Sequence, residues 1–433
     1  PRSSCVGASS CPWLLTAWYP GVRTPGVGGV NGAGSPDDTV SLRRLMLTKF
    51  GPAFPRLFIA AILQELSFAL MVHFPGYLEG LGVSEGTFGI LYAAAAVAAL
   101  SRRPGVGRLL PRTHRRTVLL FAGALNSVLL LSLLAATSWG PLLWVLFLGH
   151  RVVQIGLFTA MLTYGADAIP EERRTQGLAI FGLSGLIPLS LAGVAGDVII
   201  DNVGFGGLFI AAAAAGLASW GIVWTLPLLK IRGPSPRRGF FHALVQRNLL
   251  PVWWITLSFS AGLETLFTFT RTFVDERQIG STGLFFGVYG LTAAVTRIAG
   301  GRSYDRIPQR PLVMVAIFSY AASLAMLAQT QTVLLFALAA AIGGMAHGAV
   351  FPVLSSSVVY RARDSERGSA VSIFTSLFDV SLLLSAPVVG TLIEQFSYTV
   401  AFTAMGGFLL FGGVVYAWWD RRLIASDAGA LVG

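Results

Sequence analysis

The chain has 433 residues, of which 54% are hydrophobic and only 12% are charged, and its mean hydropathy is +0.69. Soluble domains carry about twice that charged fraction, so the composition excludes an ordinary soluble protein and indicates one largely surrounded by lipid. The net charge of +11 does not indicate nucleic-acid binding, because the basic residues lie in short clusters between apolar runs.

Residues 1–45 differ in composition from the rest of the chain. The stretch "GVRTPGVGGVNGAGSPDD" is rich in Gly, Pro and Ser and lacks helical periodicity, which is typical of disorder. Cys5 and Cys11 are the only cysteines, so the main body has no disulfide framework and no cysteine-based metal site. Met46 is the first methionine. We expect 1–45 to be disordered or non-native, with the natural start near Met46.

Twelve apolar runs follow, each close to the roughly 20 residues that a membrane helix needs. The first six are Leu57–Leu81, Thr87–Leu109, Thr117–Ser138, Leu142–Ala166, Gly177–Ile200 and Gly207–Leu228. The second six are Val252–Val274, Leu284–Tyr304, Leu312–Ala328, Thr332–Tyr360, Ser369–Ile393 and Val400–Trp419. The pattern predicts an all-α integral membrane protein with twelve transmembrane helices. The predicted parts are a bundle over 46–228, a cytoplasmic linker over 229–250, a bundle over 251–422 and a tail over 423–433.

The charges between the runs predict the orientation of the spans. Connections that follow even-numbered spans are basic. Connections that follow odd-numbered spans are short and carry acids such as Glu79, Glu85 and Asp201, with Arg271 and Arg277 as exceptions. We therefore expect a multi-pass protein of the inner (plasma) membrane with both termini in the cytoplasm.

The two halves carry a sequence repeat. Gly107 and Gly301 lie 194 residues apart in two similar basic turns, "RRPGVGRLLPRTHRR" and "TRIAGGRSYDRIPQR". Phe181 and Phe374 are 193 residues apart, and "AGVAG" from Ala192 matches "APVVG" 194 residues later. Parallel repeats of this kind are known from transporters whose two halves rock about an axis along the membrane normal.

With these features the chain resembles the major facilitator superfamily, from about Pro55 to Arg422. The family's loop signature between spans 2 and 3, G-x-x-x-D-R-x-G-R-R, is matched at Gly107, Arg112, Arg115 and Arg116. Pro111 stands where the family has aspartate, and His114 stands where it has glycine. The resemblance implies two pseudo-symmetric six-helix halves and secondary transport of a small molecule.

The basic turns predict two latches at the cytoplasmic ends of the helices. Glycine allows helix ends to approach closely, and an aspartate at a helix N-terminus forms charge-assisted bonds with neighbouring arginines. Because Pro111 removes the acid from the first turn, we expect Asp305→Asn to impair cycling more than Pro111→Asp. The predicted gate comprises Gly107, Arg108, Arg112, Gly301, Arg302, Asp305, Arg306, Arg103, Arg297, Arg174 and Arg367. Arg102, Arg115 and Arg116 are expected only to set the topology.

Ionisable residues inside the spans predict the transport pathway, because each costs about 2.5–3.5 kcal/mol in a membrane helix. The resemblance implies that spans 1, 4, 7 and 10 line the central cavity. The predicted pathway residues are Glu65, Glu264, Arg151, Asp379, Gln154, His150, His347 and His73. Burial favours the neutral form of a carboxylate, so Glu65 or Glu264 is the predicted proton carrier, with Arg151 as its ion-pair partner. The alternative is a structural pair that ties helices together, and for His150 and His347 a structural core role is favoured.

The sequence predicts a proton-coupled secondary transporter that works by alternating access, with efflux as the favoured direction. Two alternatives stay open: a proton-coupled uptake permease for a sugar, organic acid or amino acid, and a non-transporting membrane protein with this fold. The sequence contains no nucleophile–base pair, phosphate loop or cofactor motif, so neither an enzyme nor a cofactor or metal is predicted. The expected partners are a small-molecule substrate, protons and the lipid bilayer, and the chain is expected to be a monomer.

Overall fold

The computed structural model describes residues 51, 53–109, 113–170, 177, 180–229, 240–300, 307–363 and 366–430. All regular secondary structure in these ranges is helical, which confirms the all-α prediction. The connections that the structure describes in full, such as the ones from α1 to α2 and from α11 to α12, are short, as expected for a chain that folds back and forth across a membrane.

The helices of the first half follow the predicted spans closely. They are α1 (Ala53–Gly80), α2 (Glu85–Leu109), α3 (Arg115–Ala135), α4 (Pro141–Ala168) and α5 (Leu183–Trp224). Helix α5 has 42 residues, and a straight helix of that length would measure about 63 Å, twice the thickness of the hydrocarbon layer. Gly204 breaks it with a φ of 70°, a left-handed value that favours glycine. The two arms of α5 therefore take the places of predicted spans 5 and 6.

The second half begins after a short helix, α6 (Phe240–Leu244), in the predicted linker. Its long helices are α7 (Leu250–Arg277), α8 (Thr282–Gly300), α9 (Gln309–Ala328), α10 (Val333–Arg361), α11 (Arg367–Gln395) and α12 (Tyr398–Ala430). Helix α12 continues beyond the predicted end of its span at Trp419.

Among the described residues, nine helices are long and apolar enough to cross a membrane, with α5 counted once. Helices α2 and α7, with 25 and 28 residues, are also long enough to cross a membrane, but they carry more polar side chains than the nine.

The two halves meet at two equivalent interfaces. Helix α2 packs against α11, and α5 packs against α8. Because α2 and α8 are repeat partners, as are α5 and α11, the sequence repeat reappears as a pseudo-two-fold relation between the interfaces. Glycines set the spacing: a Cβ on Gly89 would lie 2.9 Å from the Ala386 carbonyl carbon, and one on Gly283 would lie 2.9 Å from Val194 Cα.

Two opposite faces of the bundle are named here by their charges. The acidic face holds the connections from α1 to α2, α7 to α8 and α11 to α12. The basic face holds the ends of α2, α8 and α10 and the starts of α3, α9 and α11. Helices α1 and α7 pack against each other near the acidic face, through the last turns of α1 at Leu70–His73 and Phe74–Gly80.

Candidate functional site

At the acidic face the halves are joined by a group of charged side chains that we call the acidic-face cluster: His73, Asp197, Arg271 and Asp275. Asp197 on α5 accepts a 2.5 Å hydrogen bond from the Gly283 backbone N–H of α8. Its Oδ1 lies 3.6 Å from Arg271 Nη1 and 3.6 Å from His73 Nδ1. Arg271 also donates from Nε to Asp275 Oδ2 at 2.7 Å. One carboxylate on α5 thus contacts α1, α7 and α8 together.

His73 is fully enclosed at the centre of this cluster. Its Nε2 lies 3.3 Å from the Ala192 carbonyl oxygen and 3.2 Å from that of Gly193. Carbonyl oxygens only accept, so Nε2 carries the proton and donates to α5. A second cross-half contact closes the same face, where Tyr398 donates to Glu85 Oε1 at 3.0 Å. The sequence placed His73 in the pathway, and the structure places it in the contact between halves.

Arg103 forms the strongest polar contact between α2 and α11. Its Nε and Nη2 donate to Asp379 Oδ2 at 2.8 and 2.5 Å. Its Nη1 and Nη2 also donate to the hydroxyl and carbonyl oxygens of Thr375 at 3.1 and 3.0 Å. The sequence assigned Arg103 to the gate and Asp379 to the pathway, and the structure joins them in one ion pair that bridges the halves.

The second repeat contains a related contact. Arg297 lies 194 residues after Arg103. It donates from Nη1 to the Gly182 carbonyl oxygen of the segment before α5 at 3.1 Å, and its guanidinium lies 5.2 Å from the Phe351 ring centroid. Gly185 stands at the repeat position of Asp379. Both predicted gate arginines therefore cross between the halves, and the carboxylate at Asp379 belongs to one repeat only.

In the middle of the helices, the structure places Glu65 on α1, Arg151 on α4 and Glu264 on α7, all half-buried. Arg151 holds its guanidinium 5.1 Å from the centroid of the Phe68 ring, a cation–π distance. Glu264 lies within electrostatic reach of Arg151, and Tyr92 on α2 lies within reach of both. Sequence reasoning missed Tyr92, since a tyrosine in an apolar helix carries no charge signal.

The two carboxylates lack protein partners in the part of the chain that the structure describes. Neither Glu65 nor Glu264 accepts a hydrogen bond or joins an ion pair there. The predicted ion pair between a pathway glutamate and Arg151 is thus absent from this conformation of the described residues. What the site holds instead is two intramembrane carboxylates, one in each half, that can accept a proton or a cation.

The predicted histidines of α4 and α10 lie in the polar interior of their halves. His150 Nδ1 is 2.9 Å from Asn126 Oδ1, and Gln154 accepts a 3.1 Å bond from Gln64 of α1. In the second half, His347 Nδ1 is 3.0 Å from the Tyr289 hydroxyl.

Tyr289 in turn contacts the Tyr320 hydroxyl at 3.2 Å. Asn126 and Tyr320 are 194 residues apart, so one member of each network occupies the equivalent position of its repeat. That offset is the signal by which Tyr320 could have been found.

Several predicted gate residues lie outside the residues whose side chains the structure describes: Gly107, Arg108, Arg112, Arg174, Gly301, Arg302, Asp305 and Arg306. Arg367, at the start of α11, donates to the Val359 carbonyl oxygen at 3.2 Å. Arg115, expected only to set topology, forms a 3.1 Å ion pair with Asp167 that joins α3 to α4.

Known proteins match most of the chain. The family model described as Major Facilitator Superfamily matches residues 57–330 and 277–428. An uncharacterized MFS-type transporter of Salmonella typhimurium is 25% identical over 380 residues, covering 83% of this chain and 94% of its own length. Multidrug resistance protein MdtG of Salmonella arizonae is 23% identical over 405 residues, covering 85% of this chain and 96% of its own.

Solved transporters share the fold. The nucleoside transporter NupG aligns with a TM-score of 0.70 at 13% identity, over 85% of this chain and 99% of its own. A bacterial homologue of the human lysosomal transporter Spinster aligns with a TM-score of 0.67 at 14% identity, over 86% and 97%. Together with two repeated halves, two equivalent interfaces and a family match over most of the chain, this shows that the protein belongs to the Major Facilitator Superfamily of membrane transporters.

Proposed function

We propose that the protein exports a small molecule by alternating access, in exchange for protons. The observation that carries this proposal is the pair Glu65 and Glu264, two intramembrane carboxylates without a protein partner among the described residues. A bare carboxylate is expensive inside a membrane, so each needs a proton or a cationic group as its partner. A proton and a cationic substrate that compete for one carboxylate provide the physical basis of exchange.

Closure at the acidic face supports alternating access. The acidic-face cluster joins α1 and α5 of the first half to α7 and α8 of the second half. The Tyr398–Glu85 bond joins α12 to α2 at the same face. The arginine distribution supports a cytoplasmic basic face, with both termini in the cytoplasm and the protein in the inner (plasma) membrane. In that orientation the described conformation is closed toward the outside, and export requires the acidic-face cluster to separate once in each cycle.

The moving units would be the two bundles, 46–228 and 251–422, joined by the linker over 229–250. Both arms of α5 belong to the first bundle, where α5 packs against α1 and α3, and α7 to α12 belong to the second. Efflux is supported by the similarity to multidrug resistance protein MdtG. One chain holds both carboxylates and both interfaces, so a monomer would suffice.

The experiment uses purified protein in proteoliposomes with an imposed pH gradient and ethidium as a fluorescent organic cation. Wild type is expected to move ethidium only while the gradient lasts, and Glu65→Gln and Glu264→Gln are expected to lose gradient-driven movement. Glu276→Gln is the matched control, because Glu276 is 53% exposed at the acidic end of α7. Normal gradient-driven movement by both Gln variants would overturn the proton assignment, and movement independent of pH would overturn proton coupling.

A second candidate, uptake of an organic anion, is favoured by Arg151. Its guanidinium is half-buried among the helices and lies over Phe68, with no carboxylate within ion-pair distance among the described residues. A substrate carboxylate could bind there through two parallel N–H donors. The same proteoliposomes distinguish the two candidates when they are given a radiolabelled organic acid: uptake with the proton gradient, lost in Arg151→Gln, would favour the permease.

A further inference from the structure

An apolar groove runs between α9 and α12 near the basic face, with a volume of about 460 Å³. Met314, Val414, Ala417 and Trp418 line it, and Arg421 and Arg422 form its end. Exposed apolar side chains lie on the same two helices toward the acidic face: Val315, Phe318, Leu410 and Phe411. The groove therefore joins a lipid-facing apolar surface to two positive charges.

The two arginines are available for a ligand. Both are exposed, and neither forms a hydrogen bond or ion pair with another side chain in the described ranges. Arg422 lies over Trp418 with its Cζ 4.2 Å from the ring centroid, which holds the guanidinium beside the groove. The neighbouring acid, Asp420, is 1% exposed and already paired with Arg361 at 2.6 Å. Among the side chains of α12 that the structure describes, no carboxylate is left to neutralise the arginine pair.

The internal repeat shows that the fold does not require these charges. Arg116 and Trp224 occupy the repeat positions of Arg310 and Trp418, each 194 residues earlier. Each arginine donates to a backbone carbonyl of the neighbouring helix, Arg116 to Trp224 at 2.6 Å and Arg310 to Ala417 at 2.8 Å.

The next positions differ between the two repeats. Pro227 and Leu228 stand where the second half has Arg421 and Arg422. The first half ends α5 at Trp224, whereas α12 continues past the arginine pair. The pair is thus an addition in the second half to a structure that both halves share.

We propose that the α9–α12 groove is a binding site for an anionic phospholipid. The phosphate lies between Arg421 and Arg422, whose planar guanidinium groups each offer paired N–H donors to phosphate oxygens. An acyl chain covers Met314 and Val414, which removes apolar surface from contact with the headgroup region. Trp418 lies at the headgroup level, where tryptophan is enriched in membrane proteins. This chemistry selects an anionic headgroup over a zwitterionic one.

The test measures lipid retention by native mass spectrometry of the full-length protein purified in detergent. The added probes are phosphatidylglycerol, phosphatidylcholine with the same acyl chains, and inorganic phosphate. Each arginine near an anionic headgroup contributes about a fivefold factor, so phosphatidylglycerol is expected to bind roughly 30-fold more tightly than phosphatidylcholine. The double variant Arg421→Gln/Arg422→Gln is expected to lose that preference.

The matched control is Arg247→Gln/Arg363→Gln, which removes the same charge from exposed positions on the opposite side of α12. It is expected to keep the preference. Equal retention of both lipids by wild type, or equal loss in both double variants, would overturn the site. Full competition by inorganic phosphate would also overturn the lipid site, because it would show that the groove binds only a small anion. Val414→Trp blocks the groove without changing charge, and it decides the question if the arginine double variant does not fold.

Discussion

The effect of removing the Arg103–Asp379 ion pair is the most specific prediction that the structure allows. Arg103 makes four hydrogen bonds to α11, two of them to Asp379, while the two side chains are only 21% and 10% exposed. Asp379→Asn keeps the shape and removes the charge, so the guanidinium stays in a poorly solvated interface without its counter-ion. Hydrogen bonds to charged groups are worth about 1.5–3 kcal/mol, and a shielded charge left alone costs more than an exposed one.

We therefore expect Asp379→Asn to destabilise conformations with a closed α2–α11 interface by about 2–3 kcal/mol. That corresponds to a shift of roughly 30- to 150-fold in the equilibrium between closed and open interfaces. The assay is double electron–electron resonance, which measures the distance between two spin labels. The labels are attached at Arg102→Cys on α2 and Tyr360→Cys on α10, in a background with Cys5 and Cys11 replaced by serine. Both label positions are exposed, and Tyr360 is 82% exposed. The population with the longer label distance should grow.

A double-mutant cycle provides the control for this pair. If the two groups act as a unit, Arg103→Gln added to Asp379→Asn should cost little more than either change alone. Adding Arg297→Gln should give an independent effect, because Arg297 contacts Gly182 at the other interface. The reasoning is refuted if Asp379→Asn leaves the distance distribution unchanged, or if the effects of Arg103→Gln and Asp379→Asn simply add.

Two further predictions concern the closure of the acidic face. Gly89→Val should lower stability by about 1–3 kcal/mol, because its Cβ would lie 2.9 Å from the carbonyl carbon of Ala386. Thermal unfolding in detergent measures this loss, and the matched Gly156→Val, at a site with nothing within 4 Å of an added Cβ, should be nearly neutral. An equal loss in both variants would mean that the valine side chain itself and not close packing at Gly89 lowers stability. Asp197→Asn should make the acidic face open more often, since it removes the charge that contacts Arg271. The rate at which a cysteine introduced in the α1–α7 contact is alkylated should then increase. An unchanged alkylation rate would contradict the role of Asp197.

The positions of the helices could be predicted from the sequence because lipid imposes a simple requirement. A spanning helix must satisfy its backbone internally and present about 20 apolar residues, so its ends are marked by charges and turns. The starts of α4 and α11 each fall within two residues of the predicted spans. In α5 two helical arms meet at Gly204, whose non-helical backbone lies between predicted spans 5 and 6.

Side-chain pairing could not be predicted in the same way. Helices that are apolar all round show no preferred face, so periodicity does not determine how each is rotated. Asp379 and Arg103 are 276 residues apart in the chain, and the ion pair exists because α2 and α11 lie antiparallel at one register. The meeting of His73, Asp197 and Arg271 depends likewise on three helices from two halves.

The sequence by itself determined the lipid-embedded helices, their repeat at an offset of 194 residues and the intramembrane charges, because each is a local property of composition and spacing. Only the tertiary structure decided which charges meet. It placed Asp379 in a contact between the halves and left Glu65 and Glu264 without a protein partner among the described residues. The reason is geometric: an ion pair needs two side chains within about 4 Å, and only the packing of helices distant in sequence provides that.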